Sequence, residues 1–204
     1  MNVGLYFGTF NPIHVGHMVI ASYMSEHTGL DQVWFVVTPQ NPLKNKKSLL
    51  QDSHRLALVR EAVDESPNLK ASDIEFGLSK PNYTTNTLAH LIEKYPKHTF
   101  SLIMGEDNLR NFHKWRNYEH ILKEHQIFVY PRVLTLQEQS EGTTMNNSQI
   151  EKLKKEKNVV YCEGAPVMKI SASFIRQAIK EGKDVRFLLT EPVHKYVEEM
   201  HFYK

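Results

Sequence analysis

The chain has 204 residues, 41% hydrophobic and 24% charged, which is long enough for a sizeable core and ordinary for a globular protein rather than a disordered or fibrous one. A formal net charge of +2 points to no nucleic-acid partner, and no apolar run is long enough to span a bilayer. The one cysteine, Cys162, excludes an internal disulfide; with an N-terminus that lacks a signal-peptide layout, it fits a reducing, cytoplasmic setting.

Taken in chain order, the first element is an apolar run that predicts a buried strand over 2–7. It ends in Gly8-Thr9-Phe10-Asn11-Pro12-Ile13-His14-Val15-Gly16-His17, and the pattern then predicts a helix over 15–28. A strand that closes in a glycine turn and opens directly into a helix places backbone N–H groups and the positive end of the helix dipole at the strand's carboxyl end. His14 and His17 are three residues apart and share a face of the first turn. Histidine pairs at this spacing are common by chance in a chain with 11 histidines; the glycine turn before the helix is what marks these two, because a core helix has no need of it. Together they read as a phosphate site. Zinc is the competing reading, but it needs three or four ligands and no nearby Cys or HExxH pattern supplies them.

Further along, strands are predicted over 33–37, 70–76, 99–104, 126–130 and 158–161, and helices over 53–66, 84–95, 114–124, 148–156, 172–181 and 191–200. This alternation indicates an α/β architecture, a doubly wound parallel sheet with helices on both faces, which binds ligands beyond the carboxyl ends of its strands. It is most simply a single domain over 1–204, with a C-terminal helical part over 170–204. Residues 133–147 are the least patterned and read as a mobile loop. The Lys152–Lys157 run reads as a solvated helix face. There is no internal repeat.

The Gly8–His17 segment resembles the (G)GTFxPxHxGH signature of the nucleotidylyltransferase superfamily. Ile170-Ser171-Ala172-Ser173-Phe174-Ile175-Arg176 resembles its late ISSTxIR signature, and the order and wide separation of the two also fit. Intermediate segments resemble the bacterial nicotinate (nicotinamide) mononucleotide adenylyltransferases: Pro39-Gln40-Asn41-Pro42-Leu43-Lys44, Asn82-Tyr83-Thr84-Thr85-Asn86-Thr87-Leu88, Gly105-Glu106-Asp107-Asn108, His113-Lys114-Trp115 and Tyr130-Pro131-Arg132. The resemblance spans nearly the whole chain and implies a Rossmann-like nucleotidylyltransferase fold. The reaction it implies joins ATP and nicotinate mononucleotide into a dinucleotide with release of pyrophosphate. The partners are then small molecules, with no nucleic acid and no membrane; a homo-oligomer is compatible with the sequence and not specified by it. Magnesium is expected with ATP, held mainly by phosphates and water.

On that resemblance, His14, His17 and Arg176 are the expected catalytic groups: His17 at the α-phosphate, His14 orienting the triphosphate, and Arg176 offering a planar fork. Thr9 and Phe10 would offer backbone N–H groups to ATP, while Gly8 and Gly16 allow close approach of backbone and nucleotide. Ser171 would cap the late helix so that its N–H groups and Ser173 face the outer phosphates. The mononucleotide would be met by Lys44, Tyr83, Thr85, Gly105, Asp107, Trp115 and Arg132. Asn11 replaces a common Asp, and either can cap the first helix; Phe7 stands where many members have a second glycine. Several rival roles stay open. Asp107 could instead cap the helix containing Asn108–Phe112. Trp115 could stack on a pyridine ring or be buried, and Arg132 could approach the nicotinate or pair with a carboxylate. Arg55 could be a helix-surface residue or a phosphate contact. The rival functions are a nicotinamide mononucleotide, pantetheine-phosphate or CTP-dependent transferase of the same superfamily and a non-catalytic nucleotide-binding module.

Overall fold

The computed structural model describes residues 1–39, 49–132 and 147–204. Its centre is a six-stranded sheet, every neighbouring pair parallel, in the order β3-β2-β1-β4-β5-β6. The strands are β1 (Asn2–Gly8), β2 (Gln32–Val37), β3 (Leu69–Ser72), β4 (Thr99–Gly105), β5 (Ile127–Tyr130) and β6 (Val159–Tyr161). Between and after them run α1 (Val15–His27), α2 (Asp52–Val63), α3 (Thr84–Lys94), α4 (Glu106–Arg110), α5 (Tyr118–Glu124), α6 (Asn147–Lys154), α7 (Ala172–Lys180) and α8 (Glu191–Glu199).

β1 lies at the centre with both faces covered, which is why it reads as a continuous apolar run. Its alternation divides two cores. Leu5 joins Trp34, Leu91, Leu102, Phe112 and Ile127 on one face. Tyr6 joins Ile13, Phe35, Val59, Ile175 and Val193 on the other. The α7–α8 part over 170–204 therefore packs on the same side as α1 and α2. The chain order reverses between β1 and β4, and it is at such a switch that the loops leaving two neighbouring strands separate and open a crevice. Gly8 and Gly105 end these two strands.

Two predicted elements differ. The strand expected over 70–76 stops at Ser72, where pairing to β2 ends at Val36; Asp73 then accepts from the Phe76 N–H at 2.8 Å and starts a 3-10 turn over Ile74–Gly77. The helix expected over 114–124 forms only over its C-terminal part, as α5, and its first residue belongs to a 3-10 turn at Phe112–Lys114. Asn117, at φ 55°, holds the left-handed conformation that separates the two. The loop expected over 133–147 lies, apart from Asn147, outside the described residues, and so does Lys44. Among the described residues no helix is long and apolar enough to cross a membrane.

Candidate active site

Gly8 and the loop that follows form the wall of the crevice beside β4. Phe10 is 2% exposed and sits at φ 46°, a conformation a bulky residue adopts only when its surroundings enforce it. They do so here through the ring, which packs edge-on against Tyr6, Phe35 and His17 at centroid distances of 5.4 Å or less for the last two. A Cβ on Gly8 would fall 2.7 Å from that ring, and one on Gly16 would fall 3.1 Å from the His14 ring. The absent side chains of these two glycines leave room for the Phe10 and His14 rings.

His14, not Asn11, is the N-cap of α1. Its backbone N–H donates to Nδ1 of His17 at 3.2 Å, and the two rings stack with centroids 3.8 Å apart. This bond decides the tautomer. A ring nitrogen that accepts carries no proton, so neutral His17 holds its proton on Nε2 and is a donor there. His14 is 6% exposed; burial, with the Arg132 cation as a smaller contribution, lowers its pKa to about 4. It is a neutral imidazole throughout the physiological range.

Asn11 does something else. Its Oδ1 accepts from the Leu50 N–H at 3.2 Å and from the Tyr203 hydroxyl at 3.0 Å, and its carbonyl accepts from Arg176 Nη1 at 2.8 Å. The loop after β1 is thereby tied to the segment before α2, to α7 and to the chain beyond α8. Arg176 also donates from Nη2 to Ser173 Oγ at 3.1 Å. Ser171 caps α7, its Oγ accepting from the Phe174 N–H at 3.2 Å. The two motifs, 154 residues apart in sequence from His17 to Ser171, meet through Arg176.

Arg55 is neither a surface residue nor, with its bonding groups occupied, a phosphate contact. It is fully buried and donates to Thr9 O (2.6 Å), Thr38 O (3.1 Å), Leu50 O (3.2 Å) and Asp52 Oδ1 (2.6 Å). It clamps together the loops that leave β1 and β2.

On the far side of the crevice, Asp107 Oδ2 accepts from Arg132 Nη1 at 2.6 Å. The cap of α4 is Gly105, so Asp107 does not fill that role. A Cβ on Gly105 would lie 2.5 Å from Asp107 Oδ1. Beneath them the Tyr6 and Tyr130 hydroxyls are 2.9 Å apart. Burial holds both phenols above their ordinary pKa. Trp115 is half-buried, edge-packed on Phe112 at 5.3 Å. Tyr83 is the N-cap of α3 without a side-chain capping bond, which leaves the Thr84 and Thr85 N–H groups without a cap partner. The Arg116 guanidinium, which the sequence did not single out, lies 5.1 Å from the Tyr83 ring centroid.

One feature unites these termini. α1, α3 and α7 carry no acidic residue in the first turn, whereas α2, α5 and α8 each carry one and α4 carries two; α6 also lacks one. Uncompensated N-termini favour anions. Among the described residues no group of three or more His, Cys, Asp or Glu is arranged to hold a metal ion.

Arg176 makes two divergent bonds that one ammonium cannot reproduce. Arg176→Lys is expected to lower kcat/KM for ATP roughly tenfold or more, ~1.4 kcal/mol. Steady-state kinetics check this, and unchanged ATP kinetics would leave Arg176 with only its structural ties to Asn11 and Ser173.

A switch-point crevice with a glycine turn, paired imidazoles and a second capped helix defines a nucleotide-binding α/β protein. The cytidylyltransferase-like family model matches residues 5–178. The chain is 53% identical over 204 residues, 100% of both chains, to the probable nicotinate-nucleotide adenylyltransferase of Flavobacterium psychrophilum. It is 41% identical to the protein of the same name from Bacteroides thetaiotaomicron, over 98% of this chain and 92% of that one. Plasmodium falciparum nicotinic acid mononucleotide adenylyltransferase complexed with NaAD superposes with a TM-score of 0.74 over 99% of this chain and 97% of that one; at 19% identity this shows the fold. The chain belongs to the cytidylyltransferase-like family and, within it, to the nicotinate-nucleotide adenylyltransferases.

Proposed function

We propose that this enzyme transfers the adenylyl group of ATP to nicotinate mononucleotide, giving nicotinate adenine dinucleotide and pyrophosphate in NAD biosynthesis. A phosphate oxygen of the mononucleotide attacks the α-phosphorus, and the bond from that phosphorus to the bridging oxygen of pyrophosphate breaks. The attacking monoester has its second pKa near ~6 and is already largely dianionic, so no general base is required. The difficulty is to bring two anions in line and to stabilise charge on the α-phosphoryl group and the departing pyrophosphate. The observation that carries the reading is the bond from Arg176 to the Asn11 carbonyl, which sets the N-terminus of α7 against the His14–His17 turn. His17 Nε2–H then serves the α-phosphate, and Arg176, Ser173 and the N–H groups of α7 serve the β- and γ-phosphates. ATP enters as its magnesium complex, with phosphates and water as the ion's main ligands. With a single, buried thiol, we place the enzyme in the cytoplasm.

The mononucleotide is assigned to Tyr83, Thr85, Gly105, Asp107, Trp115 and Arg132, with Lys44 outside the described residues. The uncapped N–H groups at Tyr83–Thr85 suit a carboxylate, which accepts at both oxygens, better than an amide, whose NH₂ would face donors. Hydrogen bonds to a charged group contribute ~1.5–3 kcal/mol, so kcat/KM should favour nicotinate over nicotinamide mononucleotide about 10–150-fold. Pyrophosphate release with both acceptors under identical conditions tests this. Equal values, or a preference for the amide, would defeat it. Including phosphopantetheine and CTP separates the related transferases.

A further inference from the structure

A carboxyl group is buried where, among the described residues, no cation pairs with it. Glu75, in the 3-10 turn after β3, is 1% exposed, and among the described residues it forms no ion pair. Burying a carboxylate without a counter-charge is costly, and such groups are found where they organise a site. Burial raises the Glu75 pKa, while the Thr87 and Thr38 hydroxyls, both facing the carboxyl, offset part of that rise.

Its contacts join the two halves of the crevice. Thr87 Oγ1, in the second turn of α3, donates to Glu75 Oε1 at 2.6 Å. Asn82 Nδ2, just before α3, donates to the Glu75 carbonyl at 3.0 Å. Thr38, immediately after β2, faces the same carboxyl group, and its N–H donates to the carbonyl of Gly8, the last residue of β1, at 2.9 Å. Thr38, Glu75, Asn82 and Thr87 are all buried. Glu75 is therefore bonded to the Asn82–Thr87 turn through both its side chain and its carbonyl, and Thr38, which faces the carboxyl, is bonded to the last residue of β1.

We infer that Glu75 is a positioning residue for the mononucleotide: it holds the Asn82–Thr87 turn, with its uncapped N–H groups, at a set distance from the phosphate loop. This rests on the assignment of the mononucleotide to that turn. A carboxyl group in this place need not be charged. Gln at 75 keeps the oxygen that accepts from Thr87, whereas Ala loses it; the backbone carbonyl that accepts from Asn82 stays in both.

The test compares Glu75→Ala, Glu75→Gln and Thr87→Val. It reads KM for each substrate by pyrophosphate release and amide hydrogen exchange of residues 83–88 in the unliganded enzyme. Glu75→Ala should speed exchange at these amides and raise KM for nicotinate mononucleotide roughly tenfold or more, with KM for ATP within about twofold of wild type. Thr87→Val should move the same readouts in the same direction by less, which covers the case in which Glu75→Ala does not fold. Glu75→Gln should restore most of the loss. Unchanged exchange in Glu75→Ala and Thr87→Val would show that Glu75 does not hold the turn, leaving the acceptor assignment standing. Faster exchange with an unchanged mononucleotide KM would show that the mononucleotide binds elsewhere, and the inference would fall with that assignment. Equal rises in both KM values would reduce Glu75 to general packing and overturn the inference.

Discussion

His17→Ala is expected to lower turnover by ~10²–10³ while leaving ATP binding measurable, the usual cost of removing one fixed donor to charge that develops in a transition state. The size of the effect follows from how the ring is held. His17 Nδ1 takes the His14 N–H at 3.2 Å, so the proton is on Nε2, and stacking on His14 at 3.8 Å restrains the ring plane. A donor that needs no reorganisation contributes more to the transition state than to ground-state binding, so kcat should fall and the ATP dissociation constant should change little. Single-turnover kinetics and equilibrium ATP titration of the folded variant measure the two quantities. Near-normal turnover would remove His17 from the chemistry.

Arg55→Met should destabilise the protein by about 3–5 kcal/mol, because it removes a charged donor from three carbonyls, each such bond being worth ~1.5–3 kcal/mol and the losses less than additive. Methionine fills much of the volume but leaves the carbonyls of Thr9, Thr38 and Leu50 without the Arg55 donor. Asp52, more than a third exposed and also 3.4 Å from Lys80, is the partner least affected. For a chain of this size the melting temperature should drop by roughly 6–20 °C. Calorimetry or thermal circular dichroism checks this. A melting temperature within about 2 °C of wild type would mean that water replaces the guanidinium without loss.

The Arg55 case shows where sequence reading reaches its limit. An arginine in the first turn of a predicted helix offers only a surface face or a ligand as readings, because a helical pattern reports periodicity and not what the next loop presents. The acceptors of Arg55 come from β1, β2 and the segment before α2, and only the folded chain brings them together. Asp107 and Arg132 are similar: the resemblance points each toward the mononucleotide, and across 25 residues they pair with each other at 2.6 Å. Glu75 left a faint signal, one of two acids, with Asp73, inside the 70–76 run. Tyr203 left none, because nothing local says that it will reach Asn11.

What the sequence determined by itself is local and periodic. Apolar runs placed the strands to within a residue or two, except where β3 ends early, because a strand buried on both faces must be apolar throughout. Two short motifs marked the turns that open α1 and α7, because glycine, hydroxyl capping and histidine spacing act over a few residues. The tertiary structure decided the rest: that His14 rather than Asn11 caps α1, that Gly8 and Gly16 make room for rings of the same chain, and that Arg176 joins two distant motifs through one carbonyl. These depend on long-range contacts whose donors and acceptors are widely separated in sequence. A hydrogen-bond partner is selected by position in space, which the sheet order sets and no local pattern encodes.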